Sequence, residues 1–180
     1  MANEQLINDC KKKDIKAQEQ LYKMYAPKLF SICLKYSRSY AEAQDNLQDG
    51  FLLVFEKIHL FTFKGSFEGW IKKVIINNTL QQYRKKPFLS LVDENVPEEV
   101  ELEIDETVTI EFLTKIVQEL SDGYRLVFNL YVFENYSHQE IADALKISVG
   151  TSKSNLSRAR MILKEKIENN TGSTKMPHIK

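Results

Sequence analysis

Apolar residues recur at spacings of three and four over most of this chain, which is the spacing of one buried face of an α-helix. In the first half, such stripes predict helices over about residues 6–10, 21–36, 43–58 and 67–84. The pattern resumes at Ile110 and predicts four further helices, whose apolar stripes end at Leu120, Val132, Leu145 and Leu163, with the last helix continuing to about residue 168. The sequence therefore predicts an all-α protein.

The helical pattern stops between residues 87 and 108. Pro87 ends the preceding helix, because the residue before a proline is driven out of the α region. The segment 87–108 contains eight acidic residues and no basic one, and we interpret it as an extended acidic linker; a short strand is the alternative. The sequence thus predicts two small helical domains, 1–86 and 109–168, followed by a disordered tail over 169–180.

The strongest local motif is the segment SHQEIADALKISVGTSKSNLSRAR, residues 137–160. Ser137 and Glu140 have the spacing of a capping box, and Ser148 is placed to cap the next helix, as Ser121 is for an earlier one. Two short amphipathic helices joined by a tight turn are typical of a DNA-binding helix-turn-helix. A helical hairpin with a solvated, charged face fits the same pattern. Lys146 stands where such turns usually carry glycine.

Charge is distributed unevenly behind a formal net charge of zero. Residues 62–86 contain six basic residues and one acidic residue, a net charge of +5, and residues 146–166 have the same balance. Two basic lobes joined by an acidic segment favour binding to a polyanion at two places.

These motifs resemble the sigma-70 family of bacterial transcription initiation factors. Residues 137–160 resemble its promoter-reading C-terminal domain. The segment AEAQDNLQDGFLLVFEKIHLF resembles its polymerase-binding helix. The segment FKGSFEGWIKKVIINNTLQQYRKK resembles its promoter-melting element. The resemblance spans about residues 15–167 and is to the short, two-domain extracytoplasmic-function subgroup. Ser152 departs from the apolar residue usual in the recognition helix.

The resemblance implies a sigma factor that binds RNA polymerase core through the clamp helices of its largest subunit, and that recognises and melts promoter DNA. It assigns core binding to Asp45, Gln48 and Asp49. It assigns the upstream promoter element to Ser148, Thr151, Lys153, Ser154, Ser157, Arg158 and Arg160. It assigns the downstream element and its melting to Phe63, Lys64, Ser66, Phe67, Trp70, Lys73 and Asn77. An anti-sigma factor is a further expected partner, although no residue identifies it.

Each assignment has a structural alternative. Aromatic residues can stack on displaced bases while cations hold the backbone, but Phe67 and Trp70 could equally fill the core. Phe61 and Phe63 lie in or near a loop, so either could be exposed. Asp45, Gln48 and Asp49 could form an ordinary solvated face.

Other classes of protein are disfavoured by the sequence. His59, His138 and His178 are scattered, and no phosphate-binding glycine loop, paired nucleophile and base, or metal cluster is present, so we predict no enzyme and no cofactor. Cys10 and Cys33 are interpreted as reduced structural thiols. The absence of a membrane-spanning apolar run and of a signal peptide predicts a cytoplasmic protein without membrane insertion. An ordinary helix-turn-helix regulator would need a dimer interface or sensory domain, and the first half offers neither.

Overall fold

A computed structural model describes residues 3–84 and 108–172, and within these ranges the regular structure is helical, with no strand. The all-α prediction is confirmed. The chain divides into two compact units, Met1–Lys85 and Lys86–Lys180. The predicted linker lies outside the described residues, except for Val108, and so does the predicted tail from residue 173 onward.

The first unit contains α1 (Glu4–Lys11), α2 (Ile15–Tyr36), α3 (Tyr40–Lys57), a single 3-10 turn (Ile58–Leu60) and α4 (Phe67–Arg84). A side chain caps each of the first three helices: Asn3, Asp14 and Ser39 accept from backbone N–H groups at 2.8, 2.9 and 3.2 Å. Such caps satisfy N–H groups that have no partner inside the helix. One apolar cluster, running from Leu6 through Leu21 and Phe51 to Ile75, joins all four helices.

Helices α3 and α4 approach each other closely at Gly50. A Cβ atom on Gly50 would lie 2.8 Å from Cγ1 of Ile75, so any larger residue would force either Ile75 or the two helices to shift. At its far end, α4 is fixed by Tyr83, whose hydroxyl contacts the carbonyl oxygen of Tyr36 and a carboxylate oxygen of Glu42, each at 3.0 Å. These contacts hold α4 in place along the α2–α3 pair.

The second unit contains α5 (Ile110–Gln118), α6 (Asp122–Val132), α7 (His138–Leu145) and α8 (Val149–Gly172). Its core includes Leu126, Leu130, Ile141 and Leu163, all buried. Arg125 is also buried, at 1% exposure, and donates to the carbonyl oxygens of Leu120 at 2.7 Å and Gln118 at 3.2 Å. These hydrogen bonds pair carbonyl oxygens at the end of α5 and join that end to α6. Because the guanidinium is hydrogen-bonded, the cost of burying its charge is reduced.

One helix cap and one helix end differ from the prediction. Ser121 occupies the N-cap position of α6, but its side chain makes no capping hydrogen bond; Asp122 in the first turn instead pairs with Arg125 at 2.5 Å. The last helix does not end near Asn169 but continues to Gly172. Ile167, in these final turns, is buried. Its packing stabilises the end of the helix, because tertiary packing contributes most of the stability of a helix in a protein.

Candidate nucleic-acid interface

Helices α7 and α8 form a helix-turn-helix whose ends are fixed by short-range hydrogen bonds. The predicted capping box is confirmed: the Glu140 amide donates to Ser137 Oγ at 3.2 Å, and the Ser137 amide donates to Glu140 Oε2 at 2.8 Å. Lys146 ends α7 in the left-handed conformation, at φ 60° and ψ 44°. Ser148 then accepts from the Thr151 amide at 2.9 Å and starts α8. The turn is therefore closed at both sides by local bonds.

The first turns of α8 present polar and basic groups to solvent. Ser148 and Lys153 are exposed, and Thr151, Ser154, Arg158 and Arg160 are half-buried. On the opposite side, Leu156, Ala159 and Leu163 lie in the core. Six of the seven residues predicted to contact the upstream element thus lie at the accessible side of the helix-turn-helix.

Ser157 does not share that position and is only 9% exposed. We expected its side chain to lie with the other six, but it lies on the packed side of α8; its contact with the upstream element stays a prediction. Successive residues of a helix are about 100° apart, and the buried sector of α8 is wide enough to include both Leu156 and Ser157. Ser157 is better explained as a polar residue of the packed side.

A polar contact joins the two helices of the motif. His138 Nδ1 lies 2.9 Å from the Oγ of Ser152, which is fully buried. The imidazole also stacks on Tyr131, with ring centroids 4.8 Å apart, and the guanidinium of Arg160 lies 5.7 Å from the centre of the same tyrosine ring. Ser152 stands where an apolar residue is usual, and its buried hydroxyl has a hydrogen-bond partner in His138.

This environment lowers the pKa of His138. Burial is the main cause, because it disfavours the charged imidazolium, and the positive charges of Lys153 and Arg160 act in the same direction. The neutral ring is the form favoured in the folded domain. The sequence showed His138 only as one of three scattered histidines; its neighbours Tyr131 and Ser152 come from two other helices, so spacing alone could not reveal them.

In the first unit, an aromatic loop at residues 61–66 precedes α4. Phe61 is buried, and its ring lies 5.1 Å from that of Phe67, 5.2 Å from that of Phe63 and 5.7 Å from that of Trp70. Phe63 is at the outer end of this aromatic cluster, 37% exposed, with a φ of 59°. Of the two loop phenylalanines, Phe63 is thus the accessible one.

Phe67 belongs to the core rather than to the surface. It is 7% exposed, contacts the ring of Tyr25 at 5.8 Å and stacks on Trp70 at 5.7 Å. Of the two alternatives for Phe67, the structure favours core packing, since the first apolar residue of α4 closes the core beneath the loop; a direct contact with the downstream element stays a prediction. Trp70 is half-buried, so part of its side chain is accessible to solvent.

The remaining residues predicted for the downstream element lie at the surface. Lys64, Ser66, Lys73 and Asn77 are exposed, and Ser66 Oγ accepts from the Gly69 amide at 3.3 Å, which helps to start α4. Exposed cations beside an exposed aromatic ring are suited to hold a nucleic-acid backbone while a base stacks.

A third surface lies on α3. Asp45, Gln48 and Asp49 are all exposed, and Asp49 accepts a hydrogen bond from the side chain of Gln82 at 3.3 Å. Beside them is a cavity of about 530 Å³ between α2 and α3, lined by Tyr22, Ala26, Pro27, Phe30, Tyr40, Gln44, Asp45, Leu47 and Gln48. The sequence indicated the acidic edge of this surface but not its partly apolar groove, because the groove is formed by two helices.

Comparison with known families identifies both halves. Residues 21–87 match the family model for Sigma-70 region 2, and residues 113–163 match that for Sigma-70, region 4. The chain belongs to the sigma-70 family. It is a sigma factor of the extracytoplasmic-function subgroup and directs promoter-specific transcription initiation.

Relatives of this sigma factor cover almost its whole length. The ECF RNA polymerase sigma factor SigW of Bacillus subtilis is 28% identical over 177 residues, covering 89% of this chain and 94% of its own. The RNA polymerase sigma-H factor of Pseudomonas aeruginosa is 23% identical, covering 88% and 90%. A similar fold occurs in the sigma factor RpoE of Bartonella quintana, solved with the anti-sigma factor NepR, with a TM-score of 0.52, 23% identity, and coverage of 83% of this chain and 96% of that one.

The family confirms that this sigma factor is an initiation factor rather than an enzyme. Its two cysteines are buried free thiols, and burial raises the pKa of Cys10 to about 11 and that of Cys33 to about 12. In residues 3–84 and 108–172, no group of three or more His, Cys, Asp and Glu side chains could hold a metal ion. The same ranges contain no helix with the length and hydropathy needed to cross a membrane.

Proposed function

We propose that this sigma factor reads its promoter with two separate surfaces, one in each unit. The α7–α8 helix-turn-helix reads the upstream element, and the 61–66 loop with α4 reads and opens the downstream element. The observation that carries the proposal is the fixed turn between α7 and α8, which leaves the N-terminal part of α8 accessible. Helix-turn-helix proteins place this part of the second helix in the major groove.

Within α8, the cations divide by their surroundings. Lys153 and Arg158 lie in the first three turns of the helix, and Arg158 can form the paired hydrogen bonds that read guanine. Arg160 lies over the ring of Tyr131, which limits its reach, and we assign it to a phosphate. The amides of Val149 to Thr151 at the start of the helix can hold a second phosphate.

In the first unit, Phe63 is the side chain best placed to stack on a displaced base. It is exposed at the outer end of the aromatic cluster, where it packs against Phe61, which in turn packs against Phe67. Lys64 and Lys73 supply charge for the backbone. Stacking and charge together hold a single strand without reading every base.

Polymerase core is assigned to the third surface. Acidic side chains would repel phosphates, so Asp45, Gln48 and Asp49 suit a protein partner, and the neighbouring groove adds apolar area for its side chains. We place the clamp helices of the largest polymerase subunit here.

The acidic segment 87–108, with eight carboxylates, is assigned to the positively charged channel of the polymerase, where it would mimic nucleic acid. The sigma factor RpoE of Bartonella quintana was solved with an anti-sigma factor, and we infer that an inhibitor of this class also restrains the present chain. Its place of action is the cytoplasm, where polymerase and promoter DNA meet.

Run-off transcription with polymerase core and fragmented genomic DNA tests the proposal. We expect discrete transcripts that require both core and this chain, and their start sites would define the promoter. The chain without core should protect little promoter DNA. Tight, specific binding by the chain alone, with no transcripts in the presence of core, would instead indicate an ordinary helix-turn-helix regulator.

Arg158→Ala tests the assignment within α8. If Arg158 reads a base, activity should fall about 10- to 100-fold, and preference at one upstream position should relax. Lys115→Ala, which removes an exposed cation of α5, is the matched control and should leave promoter choice unchanged. A uniform loss across a library of upstream elements would make Arg158 a phosphate contact.

A further inference from the structure

Lys11, the last residue of α1, contacts the aromatic loop in two ways. Its ammonium group donates to the backbone carbonyl oxygen of Phe61 at 2.7 Å. The same Nζ atom lies 4.5 Å from the centre of the Phe63 ring, within the range of a cation–π contact. One side chain therefore holds both the start of the loop and its exposed ring.

The loop needs such support because its backbone is strained. Phe63 has a φ of 59°, and a bulky residue in the left-handed region costs free energy that surrounding contacts must offset. Gly65, two residues later, has a φ of 96°, a conformation that glycine adopts readily. Phe63 has a Cβ atom, so the same region of φ is sterically unfavourable for it.

Helix α1 is a firm base for this contact. Leu6, Ile7 and Cys10 are buried in the core of the first unit, and this packing fixes the position of Lys11. The bond from Lys11 to Phe61 therefore joins residues that are 50 positions apart in the sequence. The match to Sigma-70 region 2 begins only at residue 21, and α1 lies before it. The neighbouring Lys12, at the C-cap of α1, is exposed and pairs with Asp9 of that helix at 3.3 Å.

We propose that Lys11 is a positioning residue for promoter opening: it holds Phe63 in the strained, exposed conformation in which the ring can stack on a displaced base. This inference rests on the proposed role of Phe63 in the downstream element. It gives α1 a part in DNA recognition through the loop, with no requirement that α1 touch DNA.

The test is a double-mutant cycle on open-complex formation by the holoenzyme. Its variants are Lys11→Met, Phe63→Ala and the two combined, with permanganate reactivity of thymines on a mapped promoter as the readout. Lys11→Met keeps the aliphatic stem but removes the donor and the charge. We expect it to reduce open complexes about fivefold, with core binding unchanged. In the Phe63→Ala background it should cause little further loss, because Lys11 acts through that ring.

Two further variants separate positioning from general effects. Lys11→Arg keeps a donor and a cation over the ring and should restore most of the opening. Lys12→Met removes one positive charge from the C-cap of the same helix and should leave opening unchanged, so an equal loss there would reduce the effect to long-range attraction of DNA.

The outcomes distinguish the two proposals. If Phe63→Ala opens promoters normally, the assignment of the loop to melting fails, and the inference on Lys11 fails with it. If Phe63→Ala is impaired but Lys11→Met is normal, only the inference on Lys11 is wrong. If Lys11→Met causes the same loss with and without Phe63, or weakens core binding, its role is general packing of α1, and the positioning role is overturned.

Discussion

His138 lies where three helices of the second unit meet. It is the first residue of α7. Its ring stacks on Tyr131 of α6 and forms a hydrogen bond with Ser152 of α8. Burial and the positive charges of Lys153 and Arg160 lower its pKa, whereas in the unfolded chain the imidazole has an ordinary pKa of about 6.5. A proton therefore binds the unfolded state more readily than the folded one.

Acidification should consequently destabilise the helix-turn-helix. The contribution of His138 is fully present above about pH 6.5 and is lost as the pH falls below that value, because the unfolded state then gains the proton first. We expect the free energy of unfolding of α7 and α8 to fall between pH 7.5 and 5.5. Urea unfolding followed at individual residues by NMR would measure it.

His138→Gln provides the control, since glutamine does not titrate while the carboxylates of the domain still do. The pH-dependent loss should be smaller in this variant than in the wild type. Equal losses in the two proteins would show that His138 contributes nothing to the acid sensitivity.

At this scale, the sequence predicted exposure better than it predicted burial. The charged and amide residues Asp45, Gln48 and Lys153 lie at the surface as expected, because their hydration is costly to lose. Ser157 was expected beside the accessible residues of α8 but is buried, and for Phe67 the sequence left core and surface open, since periodicity locates the centre of a buried face but not its width. The bond from His138 to Ser152 depends on the packing of α7 against α8, which no local pattern contains.

Among the elements, the turn between α7 and α8 carries the clearest strain. Lys146 adopts φ 60° and ψ 44°, a conformation in which an L-residue with a Cβ is disfavoured and glycine is not. The sequence had already indicated this position, because similar turns usually carry glycine.

Lys146→Gly should therefore stabilise the second unit by about 0.5–1 kcal/mol, the relief of strain being partly offset by the greater freedom of glycine in the unfolded chain. Lys146→Ala keeps the Cβ and should show no such gain. Hydrogen exchange of the α7 and α8 amides would measure both. A glycine variant no more stable than the alanine variant would show that the turn stores no strain.

Two glycines in the first unit should respond in opposite ways to alanine. Gly50→Ala should destabilise the unit by about 1–3 kcal/mol, because the new Cβ would lie 2.8 Å from Ile75. Gly69→Ala meets only Ser66, at an ordinary 3.7 Å, and should be neutral or stabilise by up to about 1 kcal/mol through helix propensity. Hydrogen exchange over α3 and α4 distinguishes them, and a stable Gly50→Ala variant would mean that Ile75 can shift freely.

Helix boundaries were predictable where a side chain fixes them. Ser137 and Ser148 cap their helices as expected, since capping is a local interaction. Ser121 does not, because the first turn of α6 is instead tied to the buried Arg125. The end of α8 was placed too early because its last turns are stabilised by the burial of Ile167, a tertiary contact.

For the molecule as a whole, the acidic surface of α3 is the one that we propose binds polymerase rather than DNA. Asp45→Lys should weaken the affinity for polymerase core about tenfold or more if the carboxylate meets a cation there, since it replaces an attraction with a repulsion. The measurement is the affinity of labelled core for the variant chain.

Glu4→Lys makes the same change of charge at an exposed position of α1 and is the matched control. Its affinity for core should be close to that of the wild type. Equal losses in Asp45→Lys and Glu4→Lys would point to net charge rather than to a specific binding site, and an unchanged affinity in Asp45→Lys would remove that residue from the interface.

The buried thiols have a practical consequence. Cys10 and Cys33 are the two cysteines of the chain, both are buried, and burial raises the pKa of each to about 11 and about 12. Maleimides react with the thiolate, which these residues scarcely form near neutral pH. A cysteine introduced at an exposed site of each unit, such as Lys16 and Glu111, would therefore accept dyes selectively in the otherwise native chain. Energy transfer between the dyes could then follow the separation of the two units as the polymerase and the promoter engage them.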